Sequence, residues 1–280
     1  MRPISRFLHG IFDYGYLVRL PTSFGGAAFV FWLAKHNGLV DLRTSVYAAG
    51  ATFCAIAAGF SLNDATDARE DQVNNPYRPV ARGSISVGSA IFAYAALAIL
   101  GLLFGMLTKS STRFSIALLM LVAVSFYSLF IRRVWFLKNV FVSGTVATLP
   151  LMASSCSQAT RTSLLLIVTL FVWSLEKEIL IDVRDVEGDR LVGLKTLPTL
   201  LGSKQIGLLV AAINLTFWAL VLSSSIARTL FLGSGWQLCL ATAHTAFVTY
   251  LTAKGRRRWM KLYLRMQETF VVTVLLLILL

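Results

Sequence analysis

The sequence predicts an all-α membrane protein, a bundle of about nine transmembrane helices, and three observations predict it. Hydrophobic residues make up 56% of the 280 and charged residues only 14%, against about 25% charged in soluble chains, and mean hydropathy is +0.72. Nine apolar runs are each long enough to cross a bilayer, which takes roughly 17 to 25 residues. Lys and Arg gather in alternate connections between these runs, as they do in cytoplasmic loops. The net charge of +13 belongs to those flanks, so the lipid bilayer is the expected surrounding and no nucleic-acid partner is expected.

The first 16 residues mix Arg2, Arg6, His9 and Asp13 with Ile4, Phe7, Leu8, Ile11 and Phe12. That amphipathic pattern suits a helix lying along the membrane surface, and it lacks the short apolar core and small-residue cleavage site of a removed signal peptide. Spans are then predicted at 17–35, 42–62, 86–107, 113–131, 139–157, 162–181, 205–226, 232–253 and 264–280. With nine spans, 19 Lys and Arg fall on the side of the N-terminus and 6 on the other, with Lys177 inside the sixth span. The N-terminus and the connections that follow even-numbered spans are therefore expected in the cytoplasm. The whole chain, 1–280, is expected to form one domain.

Cys54, Cys156 and Cys239 are scattered in apolar surroundings without disulfide or zinc spacing, and His9, His36 and His244 are equally dispersed. Carboxylates are left as the plausible metal ligands. Of the 13 acidic residues, ten lie in Asp64 to Asp71 or in Glu176 to Asp189. In each stretch three aspartates recur at i, i+3 and i+7, namely Asp64, Asp67 and Asp71, then Asp182, Asp185 and Asp189. This spacing predicts that each set shares one face of a helix.

Both stretches follow even-numbered spans, so the topology lets them face one another on one side of the membrane. Magnesium takes oxygen ligands, keeps several waters and is commonly held by a few carboxylates together with substrate phosphates. Basic residues stand beside the acids: Arg78 and Arg82, Arg132, Arg133 and Lys138, Arg190 and Lys195. Arginine matches phosphate oxygens through its planar fork. Glu176, Lys177 and Glu178 sit near the end of a span, where ionisable residues are costly and usually functional. The sum suits a diphosphate with a greasy tail.

The segment Asn63 to Ser86, NDATDAREDQVNNPYRPVARGSIS, resembles the first signature of the UbiA superfamily of intramembrane prenyltransferases. Glu178 to Gly202, EILIDVRDVEGDRLVGLKTLPTLLG, resembles the second, and Tyr127-Ser128 through Arg132-Arg133 to Lys138-Asn139 resembles the family's link between helices four and five. The resemblance implies a nine-helix bundle with a central cavity open toward the membrane. It also implies a Mg²⁺-dependent reaction in which an allylic isoprenyl diphosphate ionises and the cation alkylates a hydrophobic, aromatic or lipid-like acceptor. Carried over, Asn63, Asp64, Asp67 and Asp71 would hold one metal group and Asp182, Asp185 and Asp189 the other, the six aspartates being the catalytic candidates. Asn63, Arg78, Arg132, Lys138, Asn139, Tyr127 and Lys195 would hold substrate.

Metals and cations would stabilise negative charge growing on the leaving diphosphate, a dry cavity would keep water from the carbocation, and aromatic faces would support it. Phe60, Tyr94, Phe126, Tyr127 and Trp173 are the aromatic candidates near the site. Ile181 stands where many relatives carry a basic residue, so acceptor recognition does not transfer from a characterised subgroup. The EGD and KTLP of the second motif lean toward subgroups acting on homogentisate-like rings or glycerol-phosphate lipids. Two other readings share parts of the pattern: a membrane terpene cyclase of the same fold, needing no acceptor, and a cation transporter, which would place its acids near the bilayer midplane on broken helices.

Overall fold

The computed structural model describes residues 3–36, 40–153, 161–191, 193–223, 236–254, 259–260 and 262–264, and these are helical or connecting, without strand. Helix α1 (Pro3–Leu17) corresponds to the expected surface helix and α2 (Leu20–His36) to the first span. The two are bent by 53° at a break centred on Val18 and Arg19. Pro21 explains the break, because within a continuous helix it would lack the N–H needed to reach Leu17 and its ring would clash there. It sits instead in the first turn of α2, where a missing N–H is harmless. Arg19 takes the left-handed φ of 45° that the turn requires.

Helix α3 (Leu42–Thr66) starts at Asp41, whose side chain accepts from the Thr44 amide at 3.0 Å. It carries a nearly unbroken set of small buried residues, Ala48, Ala51, Cys54, Ala55, Ala57 and Ala58. These let α2, α5 (Val87–Leu107) and α6 (Ser111–Leu129) pack closely on it. Where lipid tails are as apolar as leucine, close backbone approach through small residues is what favours helix association. A Cβ added to Gly101 of α5 would stand 3.1 Å from the Cβ of Cys54. The opposite flank of α5 is bare: Phe92 is 75% and Ile99 62% exposed, as a lipid-facing surface requires.

One expectation needs correction. The first aspartate set does not share a continuous helix, because α3 ends at Thr66 and a short α4 (Ala68–Asn74) follows, with Asp67 at the junction. The Thr66 hydroxyl donates to the Asn63 carbonyl at 3.1 Å, a local bond that bends helices. Asp67 still donates its amide to Asn63 and accepts from that of Asp71, each at 2.8 Å. The helical rise continues through a kink.

These elements, with residues up to Arg132, form most of one compact unit. A second unit contains α7 (Leu137–Ala147), α9 (Arg161–Leu191), the single turn α10 (Leu197–Leu200), α11 (Ser203–Ser223) and α12 (Trp236–Ala253). Between α7 and α9 lies the short α8 (Leu149–Ala153), with Pro150 in its first turn. The core of the second unit is Ile179, Leu180 and Val183 of α9 against Ile206, Val210, Val248 and Leu251. Helix α9 runs unbroken through the second aspartate set, and Gly193, with a φ of 71°, turns the chain after it.

Among the described residues four helices are long and apolar enough to cross a membrane, or five if the bent pair α1–α2 counts as one span. The sixth and eighth predicted spans correspond to α9 and α12, and α7 with α8 covers most of the fifth; the ninth, 264–280, lies almost wholly outside the described residues. Replacing Gly101 by Leu is expected to destabilise the protein by about 1–3 kcal/mol, the cost of overpacking a tight interface. Replacing the exposed Phe92 by Leu should stay within about 0.5 kcal/mol; thermal melts in detergent compare the two.

Candidate active site

The first acidic stretch is held by three arginines. Asp64, 1% exposed at the last turn of α3, faces Arg19 at 3.3 Å and Arg78 at 3.4 Å, both on Oδ1. The same Arg78 nitrogen lies 2.5 Å from Oδ2 of the buried Asp71, whose Oδ1 accepts from Asn75 at 3.1 Å. Arg78 thus bridges two aspartates of the set. The third, Asp67, pairs with Arg132, which also binds Glu70 at 2.8 Å. Arg132 comes from the 3₁₀ turn Ile131–Arg133 just after α6. From α6 itself the Ser128 hydroxyl donates to the side-chain oxygen of Asn63.

The loop beyond Arg78 is anchored by the buried Pro79 and Val80 and reversed at Gly83, whose φ is 79°. Arg82 does not turn to the aspartates. It pairs with Asp13 of α1 and bonds Ser84 at 3.1 Å.

The second stretch lies on α9 and meets the first turn of α7. Asp182, 3% exposed, is 2.7 Å from the Lys138 ammonium and accepts from the Asn139 amide at 3.0 Å. Asp185 is gripped in bidentate fashion by its neighbour Arg184, both contacts at 2.7 Å. Burial raises the Asp189 carboxyl to about 6. Lys195 is exposed and makes no ion pair among the described residues. Tyr127 is half-buried on α6, beside Ser128.

The donor set fits a hard divalent cation. Among the described residues, the buried oxygens without a hydrogen-bond partner include Asp64 Oδ2 in the first stretch and Asn139 Oδ1 and Asp189 Oδ2 at the second. Buried acceptors are rarely left so, and unpaired carboxylate and amide oxygens are what Mg²⁺ recruits. Among the described residues no three His, Cys, Asp or Glu side chains gather closely enough to hold an ion unaided.

Five participants escaped the sequence reading: Glu70, Ser128, Asn75, Arg184 and Arg19. Arg19 stacks its guanidinium 4.1 Å over the Phe60 ring while reaching Asp64. Its one sequence signal was an arginine beside Pro21 at the start of an apolar run. Of the aromatic candidates, Phe60 is covered by that guanidinium and Tyr94 bonds Ser125 at 2.6 Å. Phe126 packs on Phe130, and Trp173 has the Lys177 ammonium 5.7 Å from its ring centre.

Replacing Arg78 by Gln leaves Asp64 and Asp71 buried without the cation that joins them. The expected loss is about 3 kcal/mol, the scale for breaking one side of a buried pair, and adding Asp71→Asn should recover part of it. Arg82→Gln, at a more exposed pair, should cost under about 1 kcal/mol. Melting curves recorded in EDTA test the contrast.

Residues 20–272 match the model of the UbiA prenyltransferase family. The digeranylgeranylglyceryl phosphate synthase of Methanothrix thermoacetophila is 26% identical over 244 residues, covering 85% of this chain and 89% of the relative. That of Thermococcus kodakarensis is 28% identical over 169 residues, and the match spans 60% of this chain and 61% of the relative. Among solved structures, the apo UbiA homolog from Aeropyrum pernix K1 superposes with a TM-score of 0.70 at 19% identity, covering 94% of this chain and 98% of that one. The UbiA homolog from Archaeoglobus fulgidus bound to GPP and Mg²⁺ superposes with a TM-score of 0.62 at 16% identity, covering 95% and 99%. At these identities the likeness establishes the common fold. With the family model spanning nine-tenths of the sequence and the fold matching along its length, the chain belongs to the UbiA prenyltransferase family.

Proposed function

We propose that the protein is an integral membrane prenyltransferase that moves an isoprenyl group from an allylic isoprenyl diphosphate to a glyceryl phosphate lipid, using Mg²⁺. The observation that carries this reading is the repeated pairing of buried aspartates with arginine or lysine, beside carboxylate and amide oxygens that have no partner of their own. A site built from carboxylates alone would suit a cation as cargo. Acids interleaved with guanidinium and ammonium groups suit a cation together with a polyanion. The Archaeoglobus fulgidus homolog is described with GPP and Mg²⁺. The relatives are named for a glyceryl phosphate bearing two geranylgeranyl groups, which favours a lipid acceptor over an aromatic ring.

Residues 1–280 act as one catalytic domain in this reading. Asn63, Asp64, Asp67 and Asp71 hold one metal group and Asp182, Asp185 and Asp189 the other; bound there, Mg²⁺ neutralises charge on the diphosphate oxygens. Arg78, Arg132, Lys138 and Asn139 orient the diphosphate, with Tyr127 and Lys195 completing the substrate-binding set. As the allylic C–O bond breaks, the diphosphate leaves with the electron pair, and these fixed cations stabilise the charge where it grows. An acceptor hydroxyl oxygen then bonds the allylic carbon and gives up its proton to the released diphosphate. The N-terminus and both acidic stretches face the cytoplasm, as the Lys and Arg distribution implies.

With purified protein in lipid, Mg²⁺ and geranylgeranyl diphosphate, diphosphate release should require a prenylated glyceryl phosphate, and excess EDTA should abolish it. Release with a cyclic hydrocarbon and no acceptor would instead establish the cyclase. Asp67→Ala and Asp185→Ala should each lower turnover by about 100-fold or more in folded protein; full activity in both sinks the metal assignment. Sidedness is read by labelling single cysteines at Gln72 and Lys109, with the three native cysteines changed to Ser. A membrane-impermeant maleimide should reach position 72 from the cytoplasmic side and position 109 from the other, and the opposite pattern would reverse the topology.

A further inference from the structure

Glu176 lies outside the constellation just described. It is 1% exposed on α9, and among the described residues its carboxylate meets the side chain of Asn214 on α11, whose Nδ2 is 3.0 Å from both oxygens. Asn214 is itself fully buried. Its Oδ1 accepts from Thr245 of α12 at 2.5 Å, and its Nδ2 is 3.2 Å from Nδ1 of His244. Trp218 Nε1 points at the same Nδ1 at 3.2 Å. An indole N–H only donates, so Nδ1 is the acceptor and Nε2 carries the proton toward Tyr263, 2.6 Å away. Five polar side chains around one glutamate thus tie α9, α11, α12 and the stretch at Tyr263 together.

The neighbouring layer of this interface is purely apolar, Ile179, Leu180 and Val183 against Ile206, Val210, Val248 and Leu251. Such contacts tolerate rotation and sliding, above all where lipid offers an equally apolar partner. A single buried polar match does not, which is how one buried asparagine fixes register in helical assemblies. Six residues further along α9, Asp182 receives a second asparagine amide, from Asn139 of α7. Six residues are about 9 Å along the axis and about 120° around it. Two amide–carboxylate contacts on different faces therefore define the rotation of α9, and one of them uses an aspartate of the candidate site.

We propose that Glu176 and Asn214 are positioning residues that set the rotation of α9 and so the direction in which Asp182, Asp185 and Asp189 project. The inference rests on reading those aspartates as the metal and diphosphate site. When Lys138 and Asn139 turn to substrate, the Glu176–Asn214 contact is the anchor that remains.

The test compares wild type with Glu176→Gln, Glu176→Leu, Asn214→Leu and the double variant Glu176→Leu/Asn214→Leu. Two readouts are taken: Mg²⁺-dependent binding of a non-reactive geranyl thiodiphosphate by calorimetry, and the distance between spin labels at the exposed Leu191 and Leu208. Glu176→Gln should bind within about twofold of wild type, and each single Leu variant roughly tenfold more weakly. The double variant removes both buried polar groups together and should regain thermal stability, yet still bind about tenfold more weakly with an altered label distance. Binding that recovers along with stability would mean a packing role only and overturns the proposal. An unchanged label distance in the double variant overturns it as well, whether or not wild type binds the analogue; absence of wild-type binding alone overturns the site reading.

Discussion

Every part of this protein that bears on chemistry is arranged around one cost, that of holding carboxylates away from water. An isolated buried carboxylate is too expensive to stay ionised, so it must acquire cations, hydrogen bonds or a metal. Here the partners are distributed by helix: Arg19 from the α1–α2 turn, Arg78 from the loop after α4, Arg132 from the turn after α6, and Lys138 and Asn139 from α7. Asp64, Asp71 and Asp182 are buried against partners that other elements deliver, whereas Asp185 takes Arg184 from its own helix. The small-residue packing of α3 serves the same end, since it brings α2 and α6 close enough for Arg19 and Ser128 to reach the last turn of α3.

The basic side chains carry two duties in the proposed reaction. In this structure they neutralise the aspartates; during turnover they would neutralise a diphosphate while magnesium takes their place on the carboxylates. Arg78 fits both, being only 15% exposed yet bridging two aspartates through one nitrogen. The partnerless oxygens of Asp64 and Asp189 mark where this internal neutralisation stops short.

Much of this was legible from charge and spacing. Apolar runs announced α2, α3, α5, α6 and α11, because a lipid-facing surface leaves its mark on every turn. The aspartate repeats mark the candidate site, and the basic residues that pair with them, Arg78, Arg132 and Lys138, are among those the sequence sets beside them. What could not be read were contacts made by residues with ordinary neighbours. Arg19 looks like a charge flanking a span, Glu70 like surface acid, and Ser128 like one hydroxyl among many. The kink at Asp67 was hidden because a threonine that bonds its own backbone and one that faces a neighbour have the same letter. Lys195 is exposed and makes no ion pair among the described residues.

The two acidic stretches end up on supports of different mechanical character. Asp67 sits at the junction of α3 and α4, so the first set is divided between two helices. The second is carried by α9, 31 residues long, or about 46 Å at 1.5 Å per residue, against a hydrocarbon layer of about 30 Å. Its three aspartates all fall within the last ten residues of that single helix, so any tilt of α9 carries them together.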